Sequence, residues 1–304
     1  MKTQVKGNRF DITLPMEWDG LTIENLLKEV WGAPKKHVHA LRMDKAITVN
    51  GEFIPWKEPI KAGDTLQLRL FSDESFGVTP AYFPIDVLYE DEFVIVMNKP
   101  AHMDTHPNTK DQTDTLANAV AFHLQAKGEN RQVQHIHRLD RDTTGAILFA
   151  KQPIAGAILD QMLENRVIKR TYVALVQGLL TKKKGTISTP IGRDRHHPTR
   201  RRTSPTGQEA ITHFEVLNQD TKKQITLIKC MLDTGRTHQI RVHLSSLGHP
   251  LVGDLLYGGK LFTPRQALHA VKLEFLHPFT REKITCYAPF LDEPAIFSVD
   301  PYSI

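Results

Sequence analysis

The sequence predicts an α+β protein, with a small N-terminal α+β domain followed by a larger domain on a mixed or antiparallel sheet flanked by helices and loops. Three observations carry this. Short apolar strand patterns recur through the last two thirds of the chain, helical periodicities fall between them, and a polar, Gly/Pro-punctuated stretch separates an earlier group of elements from the rest. The boundaries are placed at 9–71 for the first domain, 72–84 for a linker and 85–300 for the second domain.

In the first domain, Ile23, Leu26, Leu27 and Val30 share one helical face, and Thr22 is the N-cap. Pro34 opens a second helix bearing Lys35, Lys36, His37, His39 and Arg42. Ala46 to Glu52 is a strand entering an Asn-Gly turn, Lys61 to Asp64 is a further turn, and Thr65 to Leu70 alternates as a half-exposed strand. In the second domain, Glu92 to Met97 is a buried strand followed by Asn98-Lys99-Pro100. Thr115–Gln125 and Pro153–Glu164 are helices, the latter with Pro in its first turn, and Arg170–Val176, Ala210–Leu217 and Ile225–Leu232 are strands. After the Thr234-Gly235 turn comes a helix with Ile240, Leu244 and Leu247 on one face and Gly248 at its C′ position.

Composition excludes several classes. The 304 residues suit roughly two domains. No apolar run approaches the roughly 20 residues of a membrane span, and Met1 to Lys6 leads into no signal-peptide core, so a cytoplasmic protein without membrane contact is expected. Cys230 and Cys286 stand apart, outside any C-x-x-C, which speaks against a disulfide framework or a cysteine metal site. The 15 histidines lack H-E-x-x-H or neighbouring carboxylates at ligand spacing, so surface or RNA-facing positions are expected for most and no metal. Net charge is +5, a mild pointer to a polyanionic partner. Its distribution says more: Arg193, Arg195, Arg200, Arg201 and Arg202 crowd a loop with only Asp194 against them, which reads as a phosphate-binding loop.

The most chemical run is His137-Arg138-Leu139-Asp140-Arg141-Asp142-Thr143-Thr144-Gly145, a turn feeding the apolar strand that ends at Lys151. A carboxylate between two guanidinium groups is expected to stay ionised, which suits a nucleophile or anionic base; the alternative is a salt bridge tying the turn. Three other stretches accompany it: Val94 to Pro100 with His106-Pro107 after it, Lys169 to Gly178, and Thr234-Gly235-Arg236-Thr237-His238-Gln239-Ile240-Arg241-Val242-His243-Leu244 continuing through Gly253-Asp254 to Tyr257-Gly258.

Together these stretches resemble the RluA family of pseudouridine synthases over Ile85 to Pro289. The front domain, with its basic helix, V-x-N-G turn and G-D-x-L strand, resembles the alpha-L RNA-binding domain; a ubiquitin-like or other small α+β fold is the alternative. The chain departs from the family at His102, where Gly is common, and at Thr144, where Ser is commoner. The resemblance implies that specific uridines of structured RNA, in ribosomal RNA before tRNA, are isomerised to pseudouridine. It implies Asp140 as the catalytic aspartate, by attack on ribose or by proton removal, Tyr172 as the ring that stacks on the base and serves in proton removal, and Arg241 as the partner of the aspartate. Arg138 would take the place of the flipped base, with Arg236 a further RNA contact; Lys35, Lys36, Arg42 and Lys45 of the front domain and Arg193, Arg200 and Arg201 of the basic loop would hold RNA. Lys99-Pro100 reads as structural support. An isomerisation without redox change requires no metal, cofactor or nucleotide, and neither G-x-G-x-x-G nor G-x-x-x-x-G-K-[ST] occurs. A monomer is expected. A non-catalytic RNA-binding or ribosome-assembly factor is the competing reading; a phosphotransferase fails for want of a glycine-rich loop and D-F-G.

Overall fold

The computed structural model describes residues 1–304. Its N-terminal part contains β1 (Thr3–Lys6), β2 (Arg9–Thr13), α1 (Ile23–Asn25), α2 (Lys35–Met43), β3 (Ile47–Val49) and β4 (Thr65–Arg69), with the strands in the order β1-β2-β4-β3, all antiparallel. Thr22 caps α1 by accepting from Asn25 N–H at 3.1 Å. The helix expected over 21–30 is not a regular α-helix: after three residues it widens into a π-helical segment, Leu26–Val30. That keeps Ile23, Leu26 and Leu27 buried while Trp31 turns inward beside them.

The rest of the chain forms β5 (Asp86–Glu90), β6 (Val94–Lys99), α3 (Leu116–Ala126), β7 (Gln134–His135), β8 (Thr144–Ala150), α4 (Pro153–Glu164), β9 (Lys169–Gln177) and β10 (Lys184–Ser188). It continues with β11 (Ile191–Arg193), β12 (Arg201–Thr203), β13 (Ile211–Asp220), β14 (Ile225–Leu232), α5 (Gln239–Ser246), β15 (Leu268–Leu276) and β16 (Lys283–Tyr287). A sheet of order β10-β13-β14-β9-β15-β8-β6-β5 carries β16 on β15 and β7 on β8. Every pairing is antiparallel except β15 with β8, a short parallel seam where His269 faces Thr144 and Ala270 faces Gly145. The mixed sheet expected from the sequence is therefore mixed at a single seam. Gly145 is required there: at φ +112°, a Cβ would lie 2.3 Å from the Ala270 carbonyl oxygen.

Strands β6 and β8 read as unbroken apolar runs because both faces are covered. Val94, Val96, Ala146, Leu148 and Ala150 point to one face, packed by α4 and the N-terminal domain. Ile95, Met97, Ile147 and Phe149 point to the other, packed by α3 and α5. The contiguous cluster on the first face runs into the N-terminal domain through aromatic rings. Phe10 lies 4.8 Å from Phe93, Phe93 is 4.5 Å from Phe279, and Trp31 is 5.0 Å from Phe279, all edge-on or tilted. The connection at 72–84 has no helix or strand, yet it is strapped down. Val133 N–H donates to the Phe76 carbonyl, Ala81 N–H to the Asn118 carbonyl and Asn118 Nδ2 to the Thr79 carbonyl, while Phe76, Val78 and Phe83 pack on the second face.

Two local expectations are corrected. Leu247 is not on the buried face of α5: it closes the helix and is half exposed, because Gly248 at φ +82° turns the chain away. The basic loop is a hairpin of β11 and β12, packed through Ile191 against Val242 of α5.

The shared aromatic core predicts that the two domains unfold together. Phe279→Ala should cost about 3–5 kcal/mol and shift a single urea transition reported by probes in both domains. A transition of the N-terminal domain that is unaffected by the substitution would show the docking to be dispensable.

Candidate active site

Asp140 sits on the loop between β7 and β8, and four side chains fix that loop. Thr105 Oγ1 both donates to the Leu139 carbonyl and accepts from Leu139 N–H, at 3.0 and 3.1 Å. Lys99, fully buried, donates to the carbonyls of Pro100, Met103 and Arg141 at 2.8, 2.6 and 2.9 Å. Buried Arg265 donates to the Asp142 carbonyl and to Thr144 Oγ1, while Gln266 donates to Thr143 Oγ1. The Thr143 N–H to Asp140 carbonyl bond closes the turn. Lys99 thus has the supporting place expected of it, whereas Arg265, Gln266 and Thr105 carried no sequence signal of their role.

The Asp140 carboxylate is paired, but not with its sequence neighbours. Arg138 is exposed and makes no ion pair; Arg141 turns to Asp104 at 3.4 Å. The partner is Arg241 of α5, whose Nη1 donates to Asp140 Oδ2 at 3.0 Å. The other face of the same guanidinium is held by Asp254, through Nε at 2.7 Å and Nη2 at 2.9 Å. Burial works against the charge on Arg241, and the bonds to Asp254 together with Asp140 override it, so its pKa is raised. The Tyr257 ring lies 5.0 Å from the guanidinium carbon, and Tyr257 Oη is 2.8 Å from His238 Nδ1. In the sequence, Asp254 and Tyr257 stand only at the tail of the stretch that begins at Thr234. A buried carboxylate thirteen residues past Arg241 has no spacing signature, because a turn rather than a helix returns it to the site.

The start of α5 is fixed by Gln239, which accepts from Thr234 Oγ1 and Arg236 N–H through Oε1 and donates to the Ile211 carbonyl. This holds His238 in a left-handed conformation, φ 59°, with Nε2 3.9 Å from Asp140 Oδ2. Burial pulls the His238 pKa down against Asp140, with Arg241 adding to the fall. Tyr172, on β9, closes the wall of the same pocket together with Leu139, Ile240, Leu268 and Arg170. Burial raises its phenol pKa, Arg170 opposing and Asp140 reinforcing, so the ring presents a protonated hydroxyl. Asp140 is the only carboxylate lining this pocket.

The remaining candidates divide. Arg138 and Arg236 line the pocket, Arg236 also donating to the Glu209 carbonyl. Arg193, Arg201 and Arg236 line an adjoining cleft, where Arg201 Nε is buried without a partner. Arg200 is not a free phosphate ligand: Asp194 is buried beneath it and takes both its Nε and Nη2 at 2.7 Å. Arg42 is likewise engaged, with Glu24 at 3.0 Å and the Trp56 ring at 4.5 Å, which ties α2 to α1. Lys35 and Lys36 are exposed without ion pairs. They belong to a domain packed on the sheet face opposite the pocket, so the site gathers Asp140, Tyr172, Arg241, Arg138 and Arg236 without them.

Comparison with known proteins follows the same division. Residues 93–246 match the RNA pseudouridylate synthase family, and residues 10–66 match the RluD ribosomal pseudouridine synthase N-terminal domain. The chain is 50% identical to the uncharacterized RNA pseudouridine synthase YhcT of Bacillus subtilis, covering 94% of this chain and 95% of that one. It is 34% identical to ribosomal large subunit pseudouridine synthase D of Nitrosomonas europaea, over 96% of this chain and 88% of that one. The structure is similar to human RNA pseudouridylate synthase domain containing 1, with a TM-score of 0.57 and 26% identity over 68% of this chain and 84% of that one.

Lys99 gives the site a pH signature. Burial pulls it down to about 7, against Asp140 and Asp142, from about 10.4 in an unfolded chain. Between those values the unfolded chain binds more protons, so the contribution of Lys99 raises stability as pH rises from about 7 to about 10 and is least favourable below 7. Urea titrations across this range should show the wild type gaining on Lys99→Met with pH. A constant difference would mean that the three carbonyls hold the proton on Lys99 throughout.

Proposed function

Since the chain belongs to the RluA family of RNA pseudouridine synthases and is an isomerase of uridine in RNA, we propose that Asp140 carries the reaction and that large-subunit ribosomal RNA is the substrate. The observation that supports the first part is the single carboxylate in the pocket. Its Oδ2 takes the Arg241 hydrogen bond, and its Oδ1 takes none within the protein and is free for the ribose or its proton. Arg241, kept charged by Asp254, orients that carboxylate and balances it through each step. In the reaction the N1–C1′ bond breaks, the uracil turns, C5 bonds to C1′, the C5 hydrogen leaves as a proton and N1 gains one. Atoms and charge balance with no oxidant or reductant.

The target must leave its stack before it can reach this pocket, at a cost of a few kcal/mol. Tyr172 supplies the aromatic wall on which the extruded base stacks, and Arg138, exposed and unpaired at the mouth, occupies the gap left in the RNA. The ribosomal assignment rests on relatives described as ribosomal large subunit pseudouridine synthases and on the matched N-terminal domain.

Asp140→Ala should abolish pseudouridine formation while leaving RNA affinity within a few-fold. Sequencing-based pseudouridine mapping of total RNA from cells with and without the protein should show loss at large-subunit positions. Residual conversion by the variant would overturn the role of Asp140, and loss confined to tRNA would overturn the substrate.

A further inference from the structure

We propose that the stacked imidazoles of His106 and His135 form a second aromatic platform, on which an unpaired base flanking the target uridine stacks. The rings lie 4.3 Å apart at an interplanar angle of 9°, a face-to-face arrangement. His135 pairs with Phe149 across β7 and β8, and directly opposed residues share a face. Phe149 packs on the α3/α5 face, so His135 points to the side of the sheet that carries the catalytic pocket.

A continuous path joins the two places. The catalytic pocket shares Arg138, Arg170, Gly235 and Arg236 with a neighbouring cleft that extends to His135. That cleft meets, at His135, a third one lined by His106, Asn108, Lys110 and the strap at 75–79. A strand leaving the pocket passes exposed Arg138, in a cleft also lined by Glu164 and by Glu209 and Asp233, which Arg166 pairs at 3.7 Å each, then the ring pair, then Lys110, which is exposed and makes no ion pair. Alternating cations and ring faces are how proteins hold single-stranded RNA.

The pair is built to be neutral. Burial pulls His135 down to about 4, with His106 and Arg138 adding to it, and burial lowers His106 in the same direction. Two neutral rings can stack without repulsion and offer an outer face to a base. His106 Nδ1 is buried without a hydrogen-bond partner, so no polar bond at that nitrogen holds the ring and the stack with His135 positions it. The fold alone does not account for this arrangement: a pair serving only to fill the core would be apolar or fully hydrogen-bonded.

The proposal rests on the RNA-isomerase reading, and the test separates the two. An RNA fragment containing a mapped target uridine is made with a single abasic nucleotide placed in turn at each position flanking it. With wild-type protein, one flanking position should raise KM about tenfold, the scale of one lost stacking contact, with kcat within a few-fold. His106→Ala should raise KM similarly on intact RNA and lose further sensitivity to that abasic position. His106→Phe, which keeps a ring, should restore both. Circular dichroism of each variant checks the fold. If the abasic scan is the same for wild type and His106→Ala, or if the variant loses kcat rather than KM, the platform is wrong. If wild type converts no uridine in any fragment, it is the isomerase reading that fails.

Discussion

One guanidinium shared by two carboxylates organises this protein. Arg241 is buried, and an unpaired charge there would be strongly unfavourable. Asp254 takes Nε and Nη2 in a bidentate pair and leaves Nη1 for Asp140, so the cation has one orientation and the Asp140 carboxylate has one place. The three groups come from the loop before β8, the middle of α5 and the turn after it. The sheet seam, the Gln239 lock on α5 and the Lys99 and Arg265 anchors on the Asp140 loop all serve to bring these pieces within hydrogen-bond reach.

That constraint also explains the division of labour across the sheet. The face with α3 and α5 carries the pocket, the exposed arginines and the histidine pair. The other face is sealed by α4 and by the aromatic contact with the N-terminal domain, through Phe10, Trp31, Phe93 and Phe279. The N-terminal domain is thus held at a fixed place behind the site, with Lys35 and Lys36 exposed on it and remote from the pocket.

Much of this was legible in the sequence, and the rest was not for identifiable reasons. Apolar periodicity placed α4, Pro34 marked the start of α2 and Thr22 the cap of α1, because those signals are local. The H-R-L-D-x-x-T-T-G and T-G-R-T-H-Q-I-R-V-H runs pointed to Asp140 and Arg241 through their resemblance to the RluA family, while neither periodicity nor spacing alone set those residues apart. Charge bookkeeping along the chain misled. It paired Asp140 with Arg138 and Arg141 and left Arg200 and Arg42 free, whereas ion pairs depend on what folding brings near. Glu24, Asp194 and Asp254 decide those cases, and each acts across a turn or between elements. The π-helical widening after α1 is likewise a tertiary effect, set by burying Leu26, Leu27 and Trp31 at once.

The most direct measurement of this account is single-turnover release of tritium from RNA whose uridines are tritiated at carbon five, comparing wild type with Asp254→Asn. Asp254 does not line the Asp140 pocket and is hydrogen-bonded to Asp140 only through Arg241. If the shared guanidinium sets the geometry of Asp140, release should slow on the order of a hundredfold, the scale of a small misplacement of reacting groups, with RNA affinity unchanged. Release at the wild-type rate would contradict the central role given to that charge chain.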